Sequence, residues 1–391
     1  MTTNSKDSLQ NRKIEESTPI SKNTRFQESW GLLKKNKLAF VGLLIFVLFF
    51  FTALIGIILT SGTKPYFDPS IVRLQEKLRP PLSHPNLKIL RPEQIPNLGL
   101  YLFGTDDLGR DVFARMLQGA WVSLTVGFVA VGIAVLIGIF LGGIAGYFGQ
   151  NHILLHHILI ASLLFTGAVL PFMGYRYLGL LFLILGIASV IYTLVSKKKL
   201  GSITRSPWVQ ILHKSTLSVD TLIMRIVDIM LCFPSFFLIL TVVALLPASI
   251  YNIMIVIGLT SWMGTTRFVR AEFLSLREQD FVTAVKALGI SDFRVIFRHM
   301  VPNAIAPVLV SATIGIATAI LTEAGLSFLG FGVPPPHATW GNILSDGKRF
   351  IFDAPWLTFI PGIAILIVVL SFNLFGEGLR DILNPKLRER Y

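Results

Sequence analysis

Residue patterns that support catalysis or metal binding are missing from this sequence. Seven histidines are present, but none stands in an H-E-x-x-H arrangement, and the adjacent His156 and His157 point to different faces of a helix. The single cysteine, Cys232, excludes an internal disulfide and any multi-cysteine metal site. We therefore expect the chain to be no enzyme and to hold no catalytic residue, resident metal or cofactor of its own.

A glycine-rich segment is the nearest approach to a phosphate-binding loop. Residues 341–349 read Gly-Asn-Ile-Leu-Ser-Asp-Gly-Lys-Arg. Five residues separate the glycines where a P-loop has four, and Arg349 stands in place of the serine or threonine that would hold Mg²⁺. The segment is therefore not expected to bind a nucleotide.

One carboxylate stands alone in a long apolar run. Glu323 lies near the end of residues 305–330, which carry no other charged residue. An ionisable group inside a membrane segment is a candidate for function, here gating, although a single glutamate can also cap a loop backbone. Both interpretations stay open for Glu323. Arg225 and Asp228, three residues apart, can pair on one helix face at the entrance of another run.

The composition places these residues in a membrane. Of the 391 residues, 53% are apolar and only 15% are charged, against about 25% charged in soluble domains. The apolar residues are pooled in runs long enough to cross a bilayer, which needs about 20 residues per helix. Eight candidate spans result: 39–60, 120–146, 153–172, 177–195, 226–247, 251–266, 305–330 and 356–376.

The charge pattern orients the chain. Lys and Arg exceed Asp and Glu by 35 to 22, giving a net charge of +13. Much of this excess flanks apolar runs, which favours the positive-inside rule over nucleic-acid binding. With eight spans, the basic segments 1–38, 197–222, 267–300 and 377–391 all fall on one side. We expect that side, with both termini, to be the cytoplasm, and the loop 61–119 to lie outside.

Residues 278–300 predict a short helix–turn–helix outside the membrane. Apolar residues recur at helical spacing on two arms, Gly289 separates the arms, Ser291 can cap the second, and Pro302 is expected to stop it. Periodicity alone leaves two interpretations open: the stripes pack on the chain's own helix ends, or they dock a cytoplasmic partner. The two stripes are Phe281, Ala284, Val285 and Leu288, then Phe293, Ile296, Phe297 and Met300.

Small residues recur every four positions in the second span. Ala134, Gly138, Gly142 and Gly146 share one helix face, which lets two membrane helices approach backbone to backbone. This stripe predicts a multi-helix bundle or a membrane partner.

Four longer segments resemble the permease subunits of ABC-type oligopeptide and dipeptide importers, specifically the C-type subunit. The resemblance covers about 30–149 and 218–391. The segments are 103–111 (FGTDDLGRD), 220–228 (DTLIMRIVD, continuing to Phe233 and Pro234), 280–289 (DFVTAVKALG, ending at 298–303 with RHMVPN), and 321–336 (LTEAGLSFLGFGVPPP, followed by Trp340-Gly-Asn342).

The resemblance implies an all-α polytopic protein of the bacterial cytoplasmic membrane with six core spans. It implies a second, similar permease subunit, two cytoplasmic ATPase subunits that bind ATP and Mg²⁺, and an extracytoplasmic binding protein that delivers the peptide. Membrane lipid surrounds the chain, and no nucleic acid takes part. Nickel or another small solute is the alternative cargo within the family. A secondary transporter and a non-transporting membrane scaffold are the alternatives from other classes.

The third segment is similar to the family's ATPase-coupling loop, here 278–303. Thr283 takes the position of the family's glutamate and Val285 that of its second alanine, so both depart from the family's pattern. The residues expected to contact the ATPase are Phe281, Thr283, Ala284, Val285, Leu288, Gly289, Phe293, Phe297, His299 and Pro302.

The expected organisation has four parts. Residues 1–29 form a disordered cytoplasmic arm, 30–119 hold the first span and a long proline-rich outer loop, and 120–149 with 218–391 form the permease core. Residues 150–217 have no counterpart in the family and carry two apolar runs and a basic linker. Because two added spans cross and return, this insertion preserves the topology, as a lipid-facing hairpin or as a contact for an accessory subunit.

Overall fold

The computed structural model describes residues 31, 33–149, 152–154, part of 160–171, 176–196 and 215–383. The predicted arm 1–29, most of the run 153–172 and the linker 197–214 lie outside the described residues. The described chain is helical apart from one short strand pair, β1 (His152–Leu154) with β2 (Ser215–Ser218). The helices are α1 Lys37–Thr60, α2 Val112–Tyr147, α3 Arg176–Ser196, α4 Val219–Leu231, α5 Ser235–Leu245, α6 Ile250–Thr260, α7 Trp262–Arg277, α8 Asp280–Ala287, α9 Val301–Phe328, α10 Trp340–Gly347 and α11 Trp356–Leu383.

Four described helical stretches are long and apolar enough to cross a membrane. They are Lys37–Thr60, Val112–Tyr147, Asp292–Phe328 and Trp356–Ile382. The helices α4 and α5 make a fifth if they count as one broken span, since they meet at 78°. The described residues thus contain four or five candidates where the sequence predicts eight spans along the whole chain.

Two predicted spans are broken where the sequence pattern runs on. The run 226–247 is divided between α4 and α5 at Phe233 and Pro234, because proline has no amide hydrogen to continue the first helix. The run 251–266 is divided between two helices. The first, α6, ends at Thr260, and the second, α7, begins at Trp262 and is more polar. Neither run is the single straight helix that its hydropathy predicts.

The helix α2 lies at the centre of the described bundle. It packs against α1, α6, α7 and α9, and much of its length is buried. The carboxylate of Asp111 begins it by accepting the amide of Phe113 at 2.9 Å, a cap that satisfies one free donor of the first turn. In contrast, α1 exposes large apolar side chains such as Leu48 and Phe51, as expected of a helix against lipid.

The loop between α1 and α2 is folded with little regular structure, as its prolines predict. Short 3₁₀ turns form at Leu74–Glu76 and Pro92–Gln94. The fully buried Glu76 organises the first part, because its carboxylate accepts the Arg79 side chain at 2.8 Å and the Asn86 amide at 2.9 Å. The loop is therefore ordered by internal polar contacts and packs on the start of α2.

The two strands lie at the two ends of the predicted insertion, residues 150–217, and pair with each other. In the antiparallel pair, His152 of β1 faces Ser218 of β2. The prediction of a helix beginning at residue 153 is wrong, since Ile153 and Leu154 belong to the strand. Beyond it, Gly167 packs against α3: a β-carbon added there would lie 2.7 Å from the Leu183 amide nitrogen.

The small-residue stripe of α2 faces α7 of the same chain. A β-carbon added at Gly138 would lie 2.6 Å from the Thr265 β-carbon, and one at Gly146 would lie 2.5 Å from that of Phe273. Ala134 joins the same contact beside Trp262 and Met263. The two helices thus approach too closely for any larger residue on this face.

Gly142 allows a direct test of this close approach. A β-carbon at Gly142 would lie 2.6 Å from the Thr266 carbonyl oxygen, so Gly142→Ala should cost about 1–3 kcal/mol through overpacking. The measurement is the melting temperature of the purified protein in detergent. Gly132→Ala is the matched control on the same helix, because its β-carbon would meet open space. Equal melting temperatures for the two variants would contradict the packing account.

Candidate functional site

The coupling segment, residues 278–303, forms two arms joined by a sharp turn. The helix α8 runs to Ala287, and Gly289 follows with φ of +72°, a conformation that favours glycine. A short helix, Asp292–Arg294, then begins after Ser291. The predicted break at Gly289 and the start of the second arm after Ser291 are therefore confirmed, but the Ser291 side chain makes no capping hydrogen bond.

The sequence predicts that the second arm stops at Pro302, and this prediction is wrong. The π-helical turn Val295–Met300 leads directly into α9, with Pro302 in its first turn. Proline lacks the amide hydrogen of a regular helical bond, but Pro302 stands just after the π turn, where the α-helical bonding pattern is already interrupted, so it does not end the helical stretch. The Asn303 side-chain amide also donates to the His299 carbonyl oxygen at 2.6 Å. The second arm and α9 are thus one continuous helical stretch.

Burial divides the two apolar stripes into an inner and an outer set. Val282, Val295 and Met300 are fully buried against Phe273 of α7, while Phe281 and Val285 lie half-buried on the same cluster. The outer set is led by Leu288, 78% exposed, and Phe293, 71% exposed. The ring of Phe297 packs at a tilt of 42° beside that of Phe293, with the ring centroids 4.5 Å apart. We call the exposed set the coupling face: Thr283, Ala284, Leu288, Phe293 and Phe297.

The remaining predicted coupling residues lie at the edge of this face. Gly289 and Pro302 are exposed, and His299 is half-buried. Thr283 bonds only locally, with its hydroxyl donating to the Gln279 carbonyl oxygen at 3.4 Å. Of the predicted contact residues, Phe281 is thus committed to internal packing, whereas Leu288 and Phe293 are free to meet a partner.

A cluster of charged residues, which we call the polar network, lies at the opposite end of α2. Asp106 is fully buried and accepts both the Arg110 Nε at 2.7 Å and the Arg115 Nη1 at 2.6 Å. Arg115 reaches on to the Asp346 carboxylate at 2.9 Å and to the Asn342 amide oxygen at 3.3 Å. The network therefore joins the 103–111 segment, the first turn of α2 and α10.

The turn that carries Asp106 is built for this role. Its second carboxylate oxygen accepts the backbone amides of Leu108 at 2.9 Å and Arg110 at 2.8 Å. Gly109 has φ of +72°, and a β-carbon there would overlap the Arg73 carbonyl oxygen. Aspartate, glycine and arginine thus occur together in FGTDDLGRD because all three take part in one tight turn.

Three carboxylates approach one another in this network. Oxygens of Asp106, Asp107 and Asp346 lie within 4.8 Å, which is close enough to hold a cation. Burial, followed by the adjacent Asp106 charge, raises the pKa of Asp107. Arg110 and Arg115 supply two positive charges to the Asp106 and Asp346 oxygens, so ion pairing accounts for these two carboxylates, whereas one buried oxygen of Asp107 has no hydrogen-bond partner.

Glu323 lies in a second buried contact between α2 and α9. It is fully buried, and its carboxylate accepts the Ser327 hydroxyl at 2.7 Å and the Ser123 hydroxyl at 3.4 Å. Ser123 in turn accepts the Trp340 backbone amide at 3.3 Å. A chain of hydrogen bonds therefore runs from the start of α10 through α2 to Glu323.

The segment that carries α10 is held on α2 by further contacts. The Trp340 indole donates to the Met116 carbonyl oxygen at 3.1 Å, and the Gln118 side chain accepts the Ala338 amide at 2.7 Å. Gly119 makes room for the indole, since a β-carbon there would lie 2.8 Å from the ring. The segments 103–111 and 321–342, far apart in sequence, thus form one assembly.

Several residues that organise these sites escape the sequence reasoning. Arg115 and Asp346 carry the polar network, and Tyr147 contacts the coupling segment, but none of them stands in a conspicuous pattern. For Arg115 the sequence does hold a signal. It lies four residues after Asp111 at the start of an apolar helix, and a charge near a membrane segment needs a partner. Asp346 and Tyr147 offer no such signal, since their partners are over 140 residues away.

Comparison with known proteins gives consistent matches over most of the chain. The family described as "Binding-protein-dependent transport system inner membrane component" matches residues 213–389, and that described as "N-terminal TM domain of oligopeptide transport permease C" matches residues 24–81. The coupling segment, Glu323 and α10 all lie in the first of these ranges. Residues 82–212, which include most of the predicted insertion 150–217, lie outside both.

Individual relatives match across nearly their whole length. The dipeptide transport system permease protein DppC of Alkalihalophilus pseudofirmus is 36% identical over 363 residues, which cover 93% of this chain and 90% of that protein. The oligopeptide transport system permease protein OppC of Bacillus subtilis is 32% identical, covering 91% and 88%. The di/tripeptide transport system permease protein DppC of Pseudomonas aeruginosa is 32% identical, covering 93% and 92%.

The polar network can be tested through Arg115. Arg115→Gln leaves Asp106 buried with one of its two cationic partners gone, and removing a partner from a buried ion pair should cost about 3 kcal/mol. The melting temperature of the purified protein should fall accordingly. Arg380→Gln is the control, because Arg380 pairs with Glu377 at an exposed site and should cost below about 1 kcal/mol. A loss no larger than the control's would show that the network does not stabilise the fold.

Proposed function

The chain belongs to the family of binding-protein-dependent transport system inner membrane components, and on this basis we propose that it is the permease subunit of an ATP-driven peptide importer. The observation that carries the proposal is its similarity to permeases named for dipeptide and oligopeptide transport, at 30% identity or more over about nine-tenths of the chain. As a transport component it carries no hydrolytic activity of its own. It is a multi-pass protein of the inner membrane.

The orientation that fits the charge pattern places the coupling segment and both termini in the cytoplasm. The polar network and the loop 61–111 then lie on the outer side, at the other end of α2. This arrangement is supported by the separation of the two sites along one helix. We propose six core spans and two more from the insertion, with 30–119 and 120–149 joining 218–391 in the transport unit.

Membership of this family implies ATPase and binding-protein partners. We propose two ATPase subunits on the cytoplasmic side and a second, similar permease beside this one. ATP and Mg²⁺ would be held by the ATPases. The coupling face supports this, because two large apolar side chains exposed to water on a polar segment are typical of a docking site.

Gating is proposed at the outer end, through Glu323. Its carboxylate links α9 to α2, and through Ser123 to α10, so a movement of α9 must break or stretch these bonds. A buried carboxylate with hydroxyl partners in an otherwise apolar interface gives the closed arrangement a specific geometry. Glu323 therefore acts as a latch in this proposal rather than as a ligand for cargo.

Reconstitution tests the cargo and the class of transporter together. The permease pair, the ATPases and the binding protein are assembled in liposomes, and uptake of labelled dipeptide, oligopeptide and nickel is compared. Peptide uptake that needs ATP and the binding protein supports the proposal. Uptake of nickel alone favours the alternative cargo. Uptake by the isolated chain without ATPases would instead indicate a secondary transporter.

The docking role is tested at Leu288. Leu288→Asp places a charge on the coupling face, and because this side chain is 78% exposed the fold should remain intact. ATPase co-purification should fall about 30-fold, as for loss of a residue central to an interface. Leu288→Met, which keeps an apolar side chain of similar size, is the control. Normal ATPase retention with Leu288→Asp would remove Leu288 from the docking site.

The latch is tested with Glu323→Gln. The glutamine amide has one oxygen where the carboxylate has two, so either Ser123 or Ser327 loses its acceptor. Loss of one hydrogen bond should lower uptake about fivefold, with ATPase assembly unchanged. Glu377→Gln, at an exposed site, is the control and should leave uptake unaltered. Unchanged uptake in Glu323→Gln would make the residue structural.

A further inference from the structure

Tyr147 ties the last turn of α2 to both arms of the coupling segment. Its hydroxyl donates to the Asp292 carboxylate at 2.5 Å, at the start of the second arm. The Lys286 ammonium of the first arm lies over its ring, 4.6 Å from the centroid. One side chain therefore contacts each arm by a polar interaction, in addition to the apolar cluster in which the ring is buried.

The two kinds of contact have different consequences. The ring of Tyr147 is nine-tenths buried among Phe273, Val282 and Val295, so the ring serves packing. The hydroxyl adds little to that packing but fixes the direction in which Asp292 is held. A hydrogen bond to a charged acceptor is short and strong, so it holds Asp292 at a defined position relative to the end of α2.

The other end of α2 is held as firmly. The helix has 36 residues without a proline, so it extends about 54 Å as one element. Arg115 in its first turn is clamped between Asp106 and Asp346, and Ser123, about two turns further, contacts Glu323. Both ends of one unbroken helix are therefore fixed by charge-assisted hydrogen bonds to the elements around them.

We propose that α2 is the connector that carries movement of the coupling segment to the outer polar network, with the Tyr147 hydroxyl as the positioning group at its inner end. The inference rests on the proposed function, because it assumes that an ATPase moves the coupling segment. Tyr147 touches neither the coupling face nor the Glu323 latch. Tyr147 determines how much of the movement of the coupling segment reaches the outer polar network.

The variant Tyr147→Phe separates the hydroxyl from the ring. It keeps the apolar packing and the contact with Lys286 and removes only the bond to Asp292. In reconstituted complexes with ATPases and binding protein, peptide transported per ATP hydrolysed should fall about tenfold, the effect of losing a hydrogen bond to a charged group. ATPase co-purification should stay normal. Asp292→Asn should give a smaller fall in the same ratio, and the double variant should be no worse than Tyr147→Phe alone.

Tyr177→Phe is the matched control, since Tyr177 is 92% exposed on α3. An unchanged transport ratio in Tyr147→Phe, beside a working wild-type complex, overturns the connector and leaves the importer proposal standing. Loss of ATPase co-purification in Tyr147→Phe also overturns it, because the hydroxyl would then serve folding. Absence of ATP-dependent uptake in the wild-type complex overturns the importer proposal and this inference with it.

Discussion

The backbone contact between α2 and α7 is the constraint on which the rest of the structure depends. Gly138, Gly142 and Gly146 let the two helices touch, and in lipid such contact replaces the hydrophobic drive that assembles soluble helices. Because α7 leads directly to α8, its position on α2 also fixes the position of the coupling segment. A stripe of small residues thus determines where the coupling face stands.

Charge is handled differently at the two ends of α2. At one end, Asp106 and Arg115 are buried and hold each other and their neighbours by several short polar contacts, which fix the local geometry. At the other end, Leu288 and Phe293 stay exposed while Val282 and Val295 carry the packing. The N-terminal end of α2 is therefore organised by buried charges, whereas the C-terminal end is distinguished by exposed apolar side chains.

Sequence patterns predicted local features well and long-range contacts poorly. The all-helical class, the turn at Gly289 and the small face of α2 each follow from neighbouring residues, so spacing sufficed. The end of a helix at Pro302 was predicted wrongly, because a π turn before it could not be read from composition. Residue periodicity also could not tell Phe281 from Leu288, since which face is buried depends on where α7 lies. The contacts of Tyr147 and Asp346 needed the fold itself.

The pairing of β1 with β2 bears on the segment predicted to be an insertion, residues 150–217. Gly149 lies beside Asp220, with only 3.3 Å between an added β-carbon and that of the aspartate, and β1 pairs with β2 just beyond. A segment whose two ends meet can be gained, lost or exchanged during evolution without moving the helices on either side. Because these two ends meet, a change in the length of residues 150–217 need not displace α2 or α4.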